Sequence, residues 1–132
     1  MVKQTPYSIG YVELTYALQN QMTFGSVKNA SGNFVKASPQ SIGDAASESA
    51  QSIPPDFRLS ITNASGKNSY PISSFAWLLI PSQISDAKKA QALKDFLQWM
   101  LSDGQKSAAS LNYAPLPKDV AAMTIKQIAA IK

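Results

Sequence analysis

The side chains able to do chemistry are few in this chain, and two reactive types are missing altogether. Eight carboxylates occur (Glu13, Asp44, Glu48, Asp56, Asp86, Asp95, Asp103 and Asp119), but there is no His and no Cys in 132 residues. That removes the usual Ser-His-Asp triad, thiol nucleophiles, disulfides, and imidazole or thiolate metal sites. Asp44 and Glu48 stand four apart and can share one helix face as a weak cation site. Two solvated like charges are the plainer account. Paired-acid glycoside chemistry needs two carboxyls across a cleft, which spacing alone cannot supply. Ser65-Gly66-Lys67-Asn68 has the look of the end of a phosphate-cradling loop. That motif requires a Gly where Ile61 stands and a Ser or Thr where Asn68 stands, so nucleotide binding is rejected. Asn29-Ala30-Ser31 and Asn63-Ala64-Ser65 fit the glycan-acceptor pattern, but both fall in predicted turns, where Asn and Ser are common anyway.

Holding an anion is a further chemistry with definite requirements. A buried phosphate needs many donors converging on one point: helix N-terminal amides, hydroxyls and a bidentate Arg. The chain offers one arginine, Arg58, helix starts near Ser38 and Ser85, and the adjacent hydroxyls of Ser73 and Ser74. Ser73 and Ser74 are the two named here as neighbours of a binding cleft, although backbone hydrogen bonding is their plainer role. Net charge is +4, with the lysines scattered, whereas a nucleic-acid footprint would be a concentrated stripe. No nucleic-acid partner is expected.

The elements that would position these groups follow from patterning. With 45% apolar and 15% charged residues the composition is that of a folded globular domain, and no apolar run reaches bilayer-spanning length. Ile9, Tyr11 and Val12 suit a strand, and from Glu13 the apolar spacing of Leu14, Tyr16, Ala17 and Leu18 predicts a helix. Ser26 to Lys36 reads as a hairpin around Asn29-Ala30-Ser31-Gly32. Ser38-Pro39 is a helix start, and Pro54-Pro55 a stop. Phe57 to Thr62 alternates as a strand does. After a polar loop, Tyr70 to Ser74 is extended and leads into Phe75 to Ile80, an apolar run suited to a strand covered on both faces.

Ser85 to Asp103 is the clearest helix, capped by Ser85 or Asp86, with Ala90, Leu93, Phe96, Leu97, Met100 and Leu101 as its apolar stripe. Gly104 suits a left-handed position beyond it. A short helix over Gln105 to Leu111 and a final one from Lys118, beyond Pro115-Leu116-Pro117, complete the chain. Tyr11, Tyr16, Phe75, Trp77, Phe96 and Trp99 fall on core-like positions. Strands interleaved with helices predict an α/β architecture, a mixed sheet flanked by helices.

Three passages in this order resemble one family. Ile9-Gly10-Tyr11-Val12-Glu13 with Tyr16-Ala17 is the first, and Tyr70-Pro71-Ile72-Ser73-Ser74 running into Phe75 to Ile80 is the second. The third holds Phe96-Leu97-Gln98-Trp99, Gly104-Gln105, and Tyr113-Ala114-Pro115-Leu116-Pro117. Together they are similar to the extracytoplasmic phosphate-binding proteins that serve ABC-type phosphate importers. The resemblance covers most of the chain, which is under half the length of a full member.

The resemblance implies a partial periplasmic-binding-protein-like fold, in which two α/β lobes joined by crossover strands close on phosphate. It implies residues 1–59 as the end of the second lobe, 60–74 as the return crossover, and 75–132 as the carboxy-terminal part of the first lobe. The partners implied are inorganic phosphate, a membrane permease, and a missing amino-terminal half or another copy. The location implied is periplasmic, with a signal peptide absent from this sequence. The family's phosphate ligands are a Thr/Ser-aromatic turn, a Ser and an Asp in the first lobe, and an Arg with a Ser-Gly-Thr helix start in the second. None has a counterpart here. Arg58 lies in Asp56-Phe57-Arg58-Leu59, a different context, so no ligand residue carries over. Neither an enzyme nor a cofactor is expected. The alternative is a stand-alone single-lobe interaction module without anion binding, whose mark would be a monomer lacking an apolar patch.

Overall fold

Local signals set the helices. The computed structural model describes residues 2–132. After a 3-10 turn over Val2–Gln4 come α1 (Leu14–Gln19), β1 (Ser26–Lys28), β2 (Phe34–Lys36), α2 (Pro39–Ser49), α3 (Ala87–Leu101) and α4 (Lys118–Ile128). Further 3-10 turns cover Ala50–Ser52, Asp103–Ser107 and Ala109–Leu111, the last two in place of the short helix expected there.

The start of α2 is a reciprocal cap. Ser38 Oγ accepts from the Ser41 amide at 3.0 Å, and Ser41 Oγ accepts from the Ser38 amide at 3.0 Å. Pro39 takes the first turn, where its missing N–H costs nothing. Asp86 caps α3, accepting from the Lys88 and Lys89 amides at 2.9 and 3.1 Å. Both starts agree with the sequence signals.

β1 and β2 pair antiparallel with Val27 opposite Val35. Gly32, at φ +83°, makes the turn that a side chain would strain. This is the one sheet among the described residues. Three segments expected to be strands form no ladder. Residues 9–12 and 74–81 have no regular secondary structure and take part in no backbone–backbone hydrogen bond among the described residues. Strand propensity selects an extended backbone, but a strand exists only where a second one pairs with it. Residues 57–62 differ for a local reason. The Phe57 amide closes a turn onto Pro54 O at 2.9 Å, and Asp56 Oδ1 accepts from the Arg58 amide at 3.1 Å. Asp56 thereby offers the backbone an alternative to a ladder.

Two packed regions result. In the first, α2 buries Ala45 and Ala46, and Ile61 is only 1% exposed. In the second, α3 and α4 face each other through Leu97, Leu101, Ile128 and Ile131, with Ile80, Ile84, Leu93, Met100 and Leu116 packed around them. The chain end is strapped across this core: the Ile84 amide donates to Lys132 O at 2.7 Å, and the Lys132 amide to Ser82 O at 2.9 Å. Gln105 Nε2 donates to Met100 O at 2.8 Å while its Oε1 accepts from the Leu116 amide at 2.8 Å, so one side chain ties the proline-bounded segment to the end of α3. Gly104 does not adopt the left-handed backbone expected of it. A Cβ there would approach Trp99 O to 3.1 Å, so close packing on the last turn of α3 is its reason. The aromatics expected in the core stand outside it. Tyr11 is fully exposed, and Tyr16, Trp77, Phe96 and Trp99 are about half exposed, Phe96 and Trp99 stacking with each other at 6.0 Å.

A polar clamp holds the long loop. The buried Asn29 amide donates to Gly66 O, Lys67 O and Ser69 O at 3.2, 2.9 and 3.1 Å. Ser31 Oγ donates to Ser65 O at 2.5 Å, and the Tyr70 amide to Ser41 O at 3.0 Å. Asn29 is thus committed to structure, not exposed as a glycan acceptor. An Asn29→Asp variant, unable to donate, leaves three carbonyls facing a carboxylate. Urea unfolding should show about 2–3 kcal/mol lower stability. Ser38→Ala, which removes half of the α2 cap, should cost about 1 kcal/mol in the same measurement.

Candidate functional site

The two packed regions are joined by two chain segments running side by side. The Asn63 amide donates to Pro71 O at 2.7 Å, Thr62 Oγ1 to Ser73 O at 3.3 Å, and Trp77 Nε1 to Phe57 O at 3.1 Å. Those three contacts advance along 57–63 while retreating along 71–77, so the segments form an irregular antiparallel ribbon. Phe57 holds a left-handed backbone at φ +59°, uncommon for a bulky side chain.

Between the ribbon and the α3–α4 pair lies a groove of about 860 Å³. Its walls are residues 53–60 and 74–82, and its floor includes Leu97, Met100, Val120 and Ile128. Among the described residues the only charges lining it are Asp56 and Arg58, whose side chains lie 3.6 Å apart and are themselves largely exposed. An anion would find few donors there.

The donors named from sequence are placed apart. Ser73 is buried and its Oγ donates to Tyr70 O at 2.8 Å, closing a turn. Ser74 lines the groove, and its Oγ donates to Phe75 O at 3.0 Å. The helix starts are capped by the chain itself: Ser38 Oγ takes the Ser41 amide of α2, and the Asp86 carboxylate takes the Lys88 and Lys89 amides of α3. A carboxylate at a helix N-terminus fills the place an anion would otherwise take.

A second, smaller depression of about 350 Å³ lies between α2 and the loop, lined by Asp44, Ser47, Glu48 and residues 66–69. Here Gln40 Nε2 donates to Asp44 Oδ1, and Ser65 Oγ to Glu48 Oε1, both at 2.9 Å. No cluster of three or more potential metal-ligating side chains occurs among the described residues. The loop turns its carbonyls inward onto Asn29, a polarity opposite to that of a phosphate cradle, which agrees with the rejection of nucleotide binding. The one resolved perturbation of acid–base behaviour lies elsewhere on the surface. The Lys106 ammonium hydrogen-bonds to Asp103 at 2.6 Å, holding that carboxyl below its usual range, and its own pKa is raised in return.

What sequence reasoning did not find is the groove. Its signal was the continuous apolar run Phe75–Ile80, which predicts cover on both faces; the structure leaves Leu79 95% exposed.

No family model matches the chain. Individual relatives do. The phosphate-binding protein PstS of Xylella fastidiosa (strain Temecula1) is 44% identical over 129 residues, spanning 98% of this chain and 34% of the relative. That of Haemophilus influenzae is 37% identical across 95% of this chain and 37% of its own length. The protein of the same description from Methanocaldococcus jannaschii is 35% identical across 100% of this chain and 37% of itself. The chain therefore spans about a third of the length of the curated relatives it matches. Its mixture of helix and strand agrees with the α/β periplasmic-binding-protein class. The near-complete match along this chain, across bacterial and archaeal proteins of one description, identifies it as a member of the PstS phosphate-binding family corresponding to its carboxy-terminal part.

Proposed function

We propose that the chain is part of a high-affinity phosphate-binding protein that delivers phosphate to an ABC-type importer, and that its own residues supply none of the main phosphate ligands. The observation that carries this reading is the match across 98% of the chain at 44% identity. The site geometry supports the second half of the proposal: the helix starts are closed by the chain's own side chains, and the single arginine is paired with Asp56.

On this reading residues 1–59 end one lobe, 60–74 form the return crossover and 75–132 complete the other. The antiparallel contacts between 57–63 and 71–77 support a two-segment connection there. Capture is then a population shift, in which phosphate favours the closed arrangement of the lobes because only that arrangement brings all its donors together. On this reading Ser73 and Ser74 are neighbours of that cleft, Ser74 lining the groove and Ser73 buried in its turn. Binding and release suffice for this role, so no bond is made or broken. The place of action is outside the cytoplasmic membrane, against a permease.

Isothermal titration of the 132-residue chain with inorganic phosphate should give no heat attributable to micromolar binding. Micromolar or tighter binding would overturn the statement that the ligands lie elsewhere. Substituting this chain for the matching third of the Xylella relative should preserve phosphate binding. A folded chimera that has lost it would overturn the functional assignment.

A further inference from the structure

Among the described residues one buried polar side-chain atom lacks a hydrogen-bond partner: Ser69 Oγ, on a residue that is 0% exposed. Folded chains pair such atoms almost without exception, so an orphan calls for a reason. Ser69 stands in the wall of the depression between α2 and the loop. A Cβ on Gly66 would lie 2.5 Å from Ser69 Oγ and 3.5 Å from Glu48 Oε2, so the hydroxyl and that carboxylate oxygen face one space, which only a glycine leaves open. The Asn29 amide fixes this wall through Gly66 O, Lys67 O and Ser69 O.

The other wall is α2, with Asp44 and Glu48 one turn apart. Each carboxylate is oriented through one oxygen, Asp44 Oδ1 by Gln40 and Glu48 Oε1 by Ser65, and among the described residues Oδ2 and Oε2 have no partner. The ion pairs among the described residues use Asp56, Asp86 and Asp103 instead. Local energetics oppose this arrangement. Like charges four apart repel, and Glu48 lies in the last turn of its helix, where the backbone dipole disfavours an anion and no basic residue compensates. A bound cation reverses both effects.

We propose that this depression binds a calcium ion, held by Asp44, Glu48 and the Ser69 hydroxyl, with water completing its shell. The third ligand is a hydroxyl, outside the His, Cys, Asp and Glu set in which no cluster of three occurs among the described residues. Calcium takes about six to eight oxygens at roughly 2.3–2.6 Å and accepts irregular geometry. Magnesium demands a near-ideal octahedron at about 2.0–2.1 Å, which three side chains on a helix and a loop do not preset. The two carboxylates balance the ion's charge. A space of about 350 Å³ leaves room for several waters, each taking about 30 Å³. A calcium–oxygen contact is also shorter than the roughly 2.7–2.8 Å of a water hydrogen bond, so the ion reaches a hydroxyl that solvent does not. Lys67 lines the same depression, and its positive charge opposes the ion. Two carboxylates against one lysine place the site in the weak range of extracellular calcium modules, about 10⁻⁴–10⁻³ M. Nothing in this site depends on phosphate.

Heteronuclear NMR of the 132-residue chain, titrated with calcium chloride to about 10 mM at constant ionic strength, should show saturable shifts at residues 44–48 and 65–69, half-complete at or below about 1 mM. Magnesium chloride should need at least about tenfold more. Ser69→Ala is the decisive variant. It removes an oxygen that makes no hydrogen bond in the folded chain, so stability to urea without calcium should be unchanged or higher, while the half-saturation concentration should rise at least about threefold. Glu48→Gln should raise it at least about tenfold. The proposal would be overturned by the absence of a saturable shift at about 10 mM, by shifts spread equally over the other carboxylates, or by an equal response to magnesium. Unchanged calcium binding by Ser69→Ala would overturn it too.

Discussion

One buried side chain, the amide of Asn29, governs how the first region of this molecule is assembled. It donates to three carbonyls, those of Gly66, Lys67 and Ser69, in a loop nearly forty residues away in sequence, at 3.2, 2.9 and 3.1 Å. A hairpin of three-residue strands cannot hold such a loop by apolar contact, because Val27 and Val35 alone face inward and each is only partly buried. The polar clamp substitutes for that contact. Because it fixes the loop, it also fixes the point at which 57–63 and 71–77 leave the hairpin and α2 to cross to α3 and α4. The walls of the groove are the continuation of those two segments. Their spacing therefore depends on a hydrogen-bond cluster on the far side of the ribbon.

The second constraint is that a peptide group must be paired or wet. Helices meet it internally, which is why α2, α3 and α4 are complete within the chain. Extended segments cannot. Residues 9–12 and 74–81 make no backbone–backbone hydrogen bond among the described residues, and Ile9, Tyr11, Leu78 and Leu79 within them are exposed. The family relation gives this a natural setting, since the relatives are about three times as long as this stretch. Strand-shaped surface that is open here belongs to a class of fold in which sheets are covered on both faces.

How much could be read from sequence follows the range of the interactions involved. Ser38-Pro39 and Asp86 announce helix starts because a cap is made within three residues, and both are found in place. The hairpin turn was legible for the same reason: Asn29 and Gly32 are turn residues acting on their neighbours. The apolar stripe of α3 located Leu97 and Leu101 correctly but put Phe96 inside, although it lies on the exposed edge of that stripe, stacked on Trp99. Phe57 to Thr62 alternates like a strand, yet the Pro54–Asp56 turn wins because its hydrogen bonds close locally. Gly104 was read for its backbone freedom and is needed instead for its lack of a side chain against Trp99. Ser73 and Ser74 are adjacent in sequence but differ in surroundings, one inside a turn and the other at the groove, a distinction that rests on tertiary contacts alone.

The two occupied helix starts bear most directly on function. An anion site built on a helix N-terminus depends on free amides, and the residue at the cap decides whether they are free. In α3 that residue is Asp86, whose carboxylate already carries the negative charge a phosphate would bring; displacing it would place two anions together. In α2 Ser38 Oγ takes the Ser41 amide without adding charge, and Pro39 has no amide to offer in the first turn. Neither helix can therefore turn toward an anion without first losing the cap that starts it. That competition is the physical ground for the proposal that phosphate is gripped by residues outside this stretch.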